Sequence, residues 1–595
     1  MPKMRIIDDE AIERPFNYGQ FTRLMGYLAP YKGRLIFALF LTMVSSGASL
    51  ALIKLMTYAI DENITPGNLD GLGTIVLSML ALSAIGAVCM RYRVRITEFV
   101  GRTAIARLRE DLFNHVQELQ FSFFDTRSAG KIMVRIINDV NSLNDLLTNG
   151  IVDMLVNCFT LVLLVVLMLT ENWKLTLISF SILPFLFLIL FVMKRRMRRN
   201  WQSVRIKMSN MNGYLHESLS GMRVTESFVR EDVNSDIFRD VNEDIRFSWM
   251  RAIRLNNFFW PSLDTMSTVG TILVYVFGIA MMDGAGGVSL GSLLTILWYL
   301  GRVWEPLNNL SNFYNNILVA AASMERIFEI FDTPVEIKSK PNALELPATS
   351  GLITFDDVTF GYDVEKTVLK NVSFEVRPGQ TIALVGPTGA GKSTVVNLVS
   401  RFYDVTGGSL RIDGRDVRDA ELHSLRAQMS VMMQDSFIFS GTIMDNIRYG
   451  RRDATDEQVI EAAKAVRAHD FIASMEKGYY TEVNERGSRL STGQKQLISF
   501  ARALLNDPRI LILDEATSSI DTRTELLIQQ ALEVLLKGRT SFVIAHRLST
   551  IRKSDCIMVI QDGNIAEAGT HEELIAMKGH YFELCQAQVR FLQEA

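Results

Sequence analysis

The stretch Gly386-Pro387-Thr388-Gly389-Ala390-Gly391-Lys392-Ser393 has the form G-x-x-x-x-G-K-[ST], and the apolar run Ile382 to Val385 stands just before it. A strand, a glycine-rich turn and a helix beginning near Lys392 form the context in which such a motif cradles phosphate. Glycine lets the backbone approach phosphate oxygens, and the N–H groups at a helix start attract anions. Lys392 would reach the β- and γ-phosphates, and the Ser393 hydroxyl would help hold Mg2+. These eight residues and Thr394 are the first candidate nucleotide contacts. The rest of the chain decides what the nucleotide drives.

Around this loop the sequence reads as an α/β domain. Pro334, Pro341 and Pro347 mark a polar linker over 333–350, and the domain is expected over 351–590. Strand-like runs occur at Leu352 to Phe355, Val372 to Val376, Ile382 to Val385, Ile510 to Leu513 and Ser541 to Ala545, with helical stretches between them. That alternation predicts a mainly parallel core sheet. The run Arg509 to Leu513 ends in Asp514, where a P-loop enzyme places its second Mg2+ contact. Glu515 comes directly after it and could polarise an attacking water as general base. His546 comes after the run Phe542 to Ile544, at a sheet edge where ligands gather, and is a candidate phosphate contact.

The first half has a different composition. Uncharged runs cover Leu35 to Ile53, Leu72 to Met90, Leu175 to Met193 and Thr265 to Met282, and Ile151 to Thr170 is apolar apart from Asp153 and Asn157. A hydrocarbon core about 30 Å thick needs roughly 20 such residues in a helix. Val288 to Gly301 is shorter, and Arg302 interrupts it, but the helical pattern continues through Asn-rich sequence to about Ala322. Apolar on one side and amide-rich on the other, that helix suits a water-accessible cavity, with Trp298, Tyr299, Trp304, Asn308, Asn309, Asn312 and Asn315 as its expected wall. Six spans are predicted, near 35–60, 72–97, 148–170, 173–199, 258–282 and 288–322, within a membrane domain over 21–332. Residues 1–20 form a polar tail, and Phe21 to Tyr31 is amphipathic, able to lie along a membrane surface.

Charge sorts the connections. Those near 61–71, 171–172 and 283–289 carry no Lys or Arg, whereas Arg91, Arg93 and Arg95 come after the second span and Lys194 to Arg199 after the fourth. The positive-inside rule places those ends and both termini in the cytoplasm. The long connections 91–150 and 194–260 read as helices, with amphipathic repeats over Thr103 to Leu119 and Val204 to Phe228. Turns near Asp125 to Gly130 and near Ser220-Gly221 would present short helices far from the bilayer. Lys54, Asp153 and Asp264 lie at or near membrane depth, where charge tends to be functional, although Lys54 could equally snorkel from a helix end. Asn63-Ile64-Thr65 matches a glycosylation sequon.

Bulk composition agrees with this division. The 595 residues are 48% hydrophobic with a mean hydropathy of +0.16, high for a wholly soluble protein. The net charge of −3 points to no polyanionic partner, and no nucleic acid is expected. Cys89, Cys158, Cys556 and Cys585 are scattered without a C-x-x-C pair, so neither a disulfide framework nor a zinc site is indicated. Asp8, Asp9 and Glu10 precede any apolar run, unlike a cleavable signal peptide.

With these pieces in place the chain resembles one half of an ATP-binding cassette exporter of the multidrug and lipid exporter type, the type IV fold, and in particular subunits of bacterial heterodimeric multidrug exporters. The resemblance spans about residues 20 to 590 and rests on several motifs in the family order. Tyr362 in Phe360-Gly361-Tyr362 matches the aromatic that stacks on adenine, and 386–393 match the Walker A loop. Gln434 matches the Q-loop, a metal contact that links the site to the membrane domain. Leu490-Ser491-Thr492-Gly493-Gln494 matches the signature motif. Asp514 and Glu515 match Walker B and the catalytic glutamate, Ser519-Ile520-Asp521 the D-loop, and His546 the switch histidine. Glu485 before Arg486-Gly487 resembles the exporter loop that touches the transmembrane helices.

The resemblance implies ATP and Mg2+ as cofactors. It also implies two nucleotide domains closing head to tail, so that Ser491, Gly493 and Gln494 of one subunit serve the other's ATP, with Asp521 at the same interface. Closure would be relayed through the turns near Asp125–Gly130 and Ser220–Gly221, exposing the cavity outward. Hydrolysis, with Glu515 as base, His546 holding the γ-phosphate and Gln434 as a further catalytic residue at the metal, would reset it. The family signature has glycine where this chain has Thr492. In related heterodimers one chain keeps the glutamate and carries an altered signature, so a second half-transporter subunit is expected, a heterodimer in preference to a homodimer.

The expected function is ATP-driven export of amphipathic small molecules across the cytoplasmic membrane, in contact with membrane lipids; the alternative is a lipid or peptide exporter of the same fold. With only about 30 residues before the first span, a leader-peptide-cleaving type is disfavoured. A nucleotide-gated channel or regulator is disfavoured by Glu515 and His546, and a soluble cassette ATPase by the spans.

Overall fold

The structure, a computed structural model, describes residues 17–67, 70–144, 146–282, 288–363, 366–433, 436–514, 521–544 and 551–594. The chain divides into two compact units, one of Met1–Gln117 with Ala129–Thr333 and the other of Glu118–Ser128 with Pro334–Ala595. The short segment 118–128 thus packs with the second unit, although membrane-unit sequence flanks it.

The first unit is helical. Its elements are α1 (Tyr18–Gly26), α2 (Lys32–Tyr58), α3 (Leu72–Glu118), α5 (Ala129–Val134), α6 (Ile151–Phe180), α7 (Leu183–Ser220), α8 (Met222–Ser227), α9 (Glu231–Met282) and α10 (Leu290–Phe331), while α4 (Phe121–Thr126) belongs to the second unit. In hydrocarbon every backbone N–H and C=O must be satisfied within the segment, which is why these apolar runs are helices. The 47 residues of α3 reach about 70 Å at 1.5 Å per residue, more than twice a hydrocarbon core. Its basic half therefore extends well beyond the bilayer.

Among the described residues four stretches are long and apolar enough to cross a membrane: Ala29–Ile64, Leu72–Glu118, Ala129–Phe185 and Asp264–Met282. The third contains the junction of two predicted spans. Asn172, at φ −159° and ψ 108°, interrupts the helix there. Its Oδ1 accepts the N–H groups of Lys174 (3.1 Å) and Leu175 (3.0 Å), capping the helical segment that begins at this point. The uncharged run Leu175 to Met193 is not one helix, because the chain turns at Ser181–Ile182 and restarts with Pro184 in the first turn of α7. In α10, Arg302 and Glu305 dilute the apolar run.

Apolar side chains from α2, α6, α9 and α10 meet around Leu50, Leu164, Met168, Val274, Ile296 and Tyr299. Tyr299 is 1% exposed within this core, so it is not part of a cavity wall. Polar side chains join the same helices. Lys54 pairs with Glu171, which also accepts from Ser292 Oγ at 2.9 Å, and Thr57 meets Thr295. Asp61 Oδ1 accepts the Gly291 N–H at 2.8 Å and Oδ2 the Ser289 hydroxyl at 2.5 Å, placing a carboxylate on the N-terminus of α10. Asn63 of the sequon is 6% exposed and donates to Asp70 O at 2.7 Å, a poor presentation for glycosylation. Asp153 pairs with Arg93 at 2.5 Å, and Asp139, 5% exposed, takes both Arg326 and Arg135. Asp264 is exposed.

The second unit is built on two main sheets, from β1 (Ile353–Phe360), β2 (Leu369–Val376), β3 (Thr381–Val385), β4 (Gly407–Ile412), β5 (Arg415–Asp416), β6 (Met429–Met432), β7 (Gly441–Thr442), β8 (Glu482–Val483), β9 (Ile510–Asp514), β10 (Thr540–Ile544), β11 (Cys556–Gln561) and β12 (Asn564–Gly569). The core sheet runs β12-β11-β3-β10-β9-β6, parallel except for β12. Its inner strands are buried on both faces, so alternate residues feed two cores. Ile382, Leu384, Ile510, Ile512 and Phe542 enter one; Ala383, Val385, Leu511, Leu513 and Val543 enter the other. A second, antiparallel sheet, β2-β1-β4-β5, covers the first of these cores, with Phe355 and Phe374 stacked across β1 and β2 at 4.3 Å. Sequence periodicity did not reveal this second sheet as a separate layer. Three helices of this unit bear on the site: α11 (Lys392–Val399), α12 (Thr492–Asn506) and α13 (Thr522–Leu536).

Candidate nucleotide site

The site forms where the parallel strands end. β3 lies between β10 and β11, with Leu384 paired to Ile544 and Val385 to Val559. β9 and β6 continue the same edge, with Asp514 paired to Ile544 and Leu513 to Met432. Chain exits from β3, β6, β9 and β10 are thereby collected along one line, the place where open α/β sheets bind ligands.

The glycine-rich loop leaves β3 in a conformation only glycine adopts freely. Gly386, Gly389 and Gly391 have φ of 145°, 83° and 110°. Their reasons differ. A Cβ on Gly386 would lie 2.2 Å from Ile560 O, so this glycine is demanded by packing under β11. A Cβ on Gly389 would meet nothing within 4 Å, so only its backbone conformation requires glycine. Gly391 is the N-cap of α11 and offers no side chain to the first-turn N–H groups, leaving them to an anion.

Lys392 is 8% exposed, and its Nζ donates to Gly386 O and Pro387 O, each at 2.8 Å. Burial pulls its ammonium below the ordinary lysine range, and the charge of Asp514 acts in the opposite sense. The loop therefore holds a buried cation at its mouth, with Asp514 near enough to influence it. Ser393 is exposed at the start of α11, Thr394 is 4% exposed beneath it, and Pro387, Thr388 and Ala390 complete the turn, Ala390 N–H bonding to Pro387 O at 3.2 Å. Ser393 and Asp514 offer the hard oxygen ligands Mg2+ prefers. Such an ion is held mainly by phosphate oxygens with one or two protein oxygens, the number these two residues offer.

Tyr362 stands beside the loop. Its ring meets Phe360 edge-on at 5.0 Å and 85°, and Tyr403 at 5.0 Å and 88°. Its hydroxyl lies 3.2 Å from Thr394 Oγ1 and accepts from Asn397 Nδ2 at 3.2 Å. Two edge-on contacts support the ring, yet the residue stays 46% exposed, which leaves a face for stacking.

The signature residues are organised among themselves. Ser491 is the N-cap of α12 in a capping box: Gln494 N–H donates to Ser491 Oγ at 3.3 Å, and Ser491 N–H to Gln494 Oε1 at 3.0 Å. The Gln494 side chain thus serves the helix end, while the Ser491 hydroxyl keeps its own proton to donate. Gly493 is buried, and Thr492 is exposed at the first helical position. Asp521 caps α13, accepting Thr524 N–H at 3.0 Å, and that bond holds its carboxyl below the usual range. Gln434, Glu515, Ser519, Ile520 and His546, and the side chain of Glu485, lie outside the described residues.

Sequence reasoning passed over Arg401-Phe402-Tyr403, just beyond the end of α11. Phe402 stacks on Phe121 of α4 at 5.2 Å and 20°, and the Tyr403 hydroxyl donates to Asp125 Oδ2 at 2.5 Å. Arg401, 2% exposed, anchors the turn through Asp404 Oδ1 and Ala420 O. An aromatic pair after a helix was the visible signal, but nothing in the local sequence names its partners.

Known proteins share these features along nearly the whole chain. Residues 35–306 match the description "ABC transporter transmembrane region" and 369–518 match "ABC transporter". An uncharacterized ABC transporter ATP-binding protein, YknV of Bacillus subtilis, is 44% identical over 98% of this chain and 96% of its own length. A putative multidrug export ATP-binding/permease protein of the same organism, YgaD, is 37% identical over 96% and 99%. An ATP-dependent lipid A-core flippase of Syntrophus aciditrophicus is 35% identical over 96% and 94%. The solved structure of a bacterial Atm1-family ABC exporter with ATP bound superposes with a TM-score of 0.72 at 29% identity, covering 94% of this chain and 99% of that one.

Proposed function

Because the chain belongs to the ATP-binding cassette transporters, as an exporter half with a transmembrane domain and an ATPase domain, we propose that it exports amphipathic small molecules across the cytoplasmic membrane by alternating access. ATP hydrolysis coupled to transport comes with the family, as does assembly with a second half. The observation that carries the substrate class is the amide face of α10. Asn308, Asn312 and Asn315 recur at helical spacing and are exposed, with Asn309 beside them, while Trp298 and Trp304 are half-buried on the same helix. Amide and aromatic groups together suit ligands with both polar and apolar parts. The relative named a multidrug exporter agrees with this reading. A lipid substrate is the second reading, favoured by the flippase among the relatives.

The membrane domain in this reading occupies 21–332 with six spans, 333–350 is the linker, and 351–590 is the ATPase domain. The basic ends of the spans, the termini and the ATPase domain are cytoplasmic. Adenine stacks on Tyr362, the loop N–H groups and Lys392 hold the phosphates, and Ser393, Gln434 and Asp514 would hold Mg2+, which would offset phosphate charge. Glu515 takes a proton from the attacking water, and His546 holds the γ-phosphate. Ser491, Gly493 and Gln494 face the ATP of the second subunit, with Asp521 at the same interface. We favour a heterodimer on the strength of Thr492. That residue is exposed at the first position of α12, so its departure from glycine falls on the docking surface rather than on folding.

The experiment is ATPase activity of the purified chain, alone and with any half-transporter encoded beside it, screened with amphipathic compounds and with lipids. Stimulation by amphipathic compounds supports the export reading, and stimulation by lipid alone supports the second. A stable dimer of this chain alone with full ATPase activity would overturn the heterodimer.

A further inference from the structure

We propose that Tyr403 is a positioning residue that reports occupancy of the adenine site to the first cytoplasmic turn of the membrane domain. This deepens the proposed function and rests on Tyr362 being the adenine contact. The contacts form one continuous path inside the second unit. Tyr362 presents an open face, and its edge rests on the Tyr403 ring at 5.0 Å and 88°. Phe360 meets both rings edge-on, Tyr362 at 5.0 Å and Tyr403 at 5.6 Å, and the Tyr403 hydroxyl donates to Asp125 Oδ2 at 2.5 Å. Burial, and after it the adjacent Asp125 carboxylate, pushes the Tyr403 hydroxyl well above the ordinary tyrosine range, so it remains a donor at neutral pH.

The helix reached in this way is held at both ends. Gln120 Oε1 accepts the N–H of Glu336 at 3.2 Å, Phe121 stacks on Phe402, and Asp125 is the contact near the other end. Arg426 lies over the Phe402 ring at 5.4 Å and donates to Arg401 O at 2.8 Å, so the aromatic platform is itself fixed. Of these anchors only Asp125 touches a side chain that also touches Tyr362. A purine stacked on Tyr362 restricts that ring, the ring restricts Tyr403, and the hydroxyl then holds Asp125. The path runs through Tyr362, Tyr403 and Asp125 and includes neither Lys392 nor Asp514, so ADP is expected to operate it as well as ATP. Information about base occupancy thereby reaches residues 118–128 separately from any signal that distinguishes ATP from ADP.

The test is hydrogen exchange across 118–128 in the full-length complex in lipid nanodiscs, with and without saturating Mg-ADP. ADP does not supply the γ-phosphate that drives closure, so the base path is isolated. In the wild type, ADP is expected to slow exchange across 118–128 several-fold. Tyr403→Phe keeps the ring contacts and removes only the hydroxyl. It is expected to leave ADP affinity within about twofold, as for a group outside the nucleotide contact, while losing most of the slowing. Asp125→Asn retains a carbonyl acceptor and is expected to keep the slowing, whereas Asp125→Ala loses it; a merely structural role would not depend on ADP.

Tyr362→Ala separates the adenine assignment from the relay, because loss of a base stack weakens binding by about tenfold or more. If it leaves ADP affinity unchanged, the adenine assignment fails, and this inference with it. If affinity falls as expected but Tyr403→Phe retains wild-type slowing, or the wild type shows none, the relay alone is overturned.

Discussion

Lys54 of α2 is paired with Glu171 of α6, and the two ends of this pair differ in burial: the lysine side chain is 58% exposed and the glutamate 8%. Ser292 Oγ on α10 donates to the same carboxylate at 2.9 Å. The asymmetry sets which substitution does more damage. Lys54→Met strands a buried carboxylate with one hydroxyl donor, a cost of about 1–3 kcal/mol. Glu171→Gln keeps an acceptor for Ser292 and releases a lysine that already sees solvent, a cost of about 1 kcal/mol or less. Thermal unfolding of the two purified variants should therefore give the lower Tm for Lys54→Met. The reverse order would show that Glu171 is not the dependent partner.

The phosphate loop separates two uses of glycine. In Gly386→Ala the new Cβ would meet Ile560 O at 2.2 Å, and backbone cannot move aside cheaply. Overpacking of this kind costs about 1–3 kcal/mol before any strain from φ is added. Gly389→Ala enters open space and bears only the cost of its φ, about 1–2 kcal/mol. Gly386→Ala should lower the melting temperature of the ATPase domain more than Gly389→Ala. Equal losses would mean that loop conformation, not the packing under β11, is what Gly386 secures.

Acid stability has an identifiable contributor in Asp413. Burial alone would raise its carboxyl, but donors outweigh burial and hold it below the ordinary value of 3.8: Ser350 Oγ at 2.6 Å, Thr349 Oγ1 at 2.7 Å, Ser350 N–H at 2.7 Å and Leu352 N–H at 3.0 Å. A carboxyl whose value falls on folding stabilises the fold above its unfolded value and loses that contribution as pH drops through the folded one. In the wild type, stability should therefore decline below about pH 4, and Asp413→Asn should flatten that limb while lowering stability at neutral pH. Unfolding by denaturant from pH 7 to pH 3 measures both. An unchanged acid limb in the variant would assign the decline to other carboxylates.

Local rules made part of the fold readable in the sequence. The buried strands Ile382 to Val385 and Ile510 to Leu513 were legible because parallel strands covered on both faces are continuous apolar runs, and the glycine loop fixed their direction. The antiparallel layer was not, because β4 mixes Arg411 with Leu410 and Ile412, and its role depends on pairing with β1. The break at Ser181–Ile182 was hidden inside an uncharged run, where composition favours crossing the membrane whether or not the helix is continuous. Contacts between distant residues were the least legible. Asp61 caps a helix that starts more than two hundred residues later, and Tyr403 finds Asp125 at a separation of 278 residues. The role of Tyr362 could be read from a motif; the ring supporting it could not.

ATP turnover by the Glu515→Gln variant, beside the wild type in the same lipid, is the most direct measurement. ATP binding is expected to persist and hydrolysis to be abolished, with the ATP-bound state accumulating, because the amide cannot take the proton of the attacking water. Hydrolysis at the wild-type rate by Glu515→Gln would contradict the assigned base and the hydrolysis-driven cycle built on it.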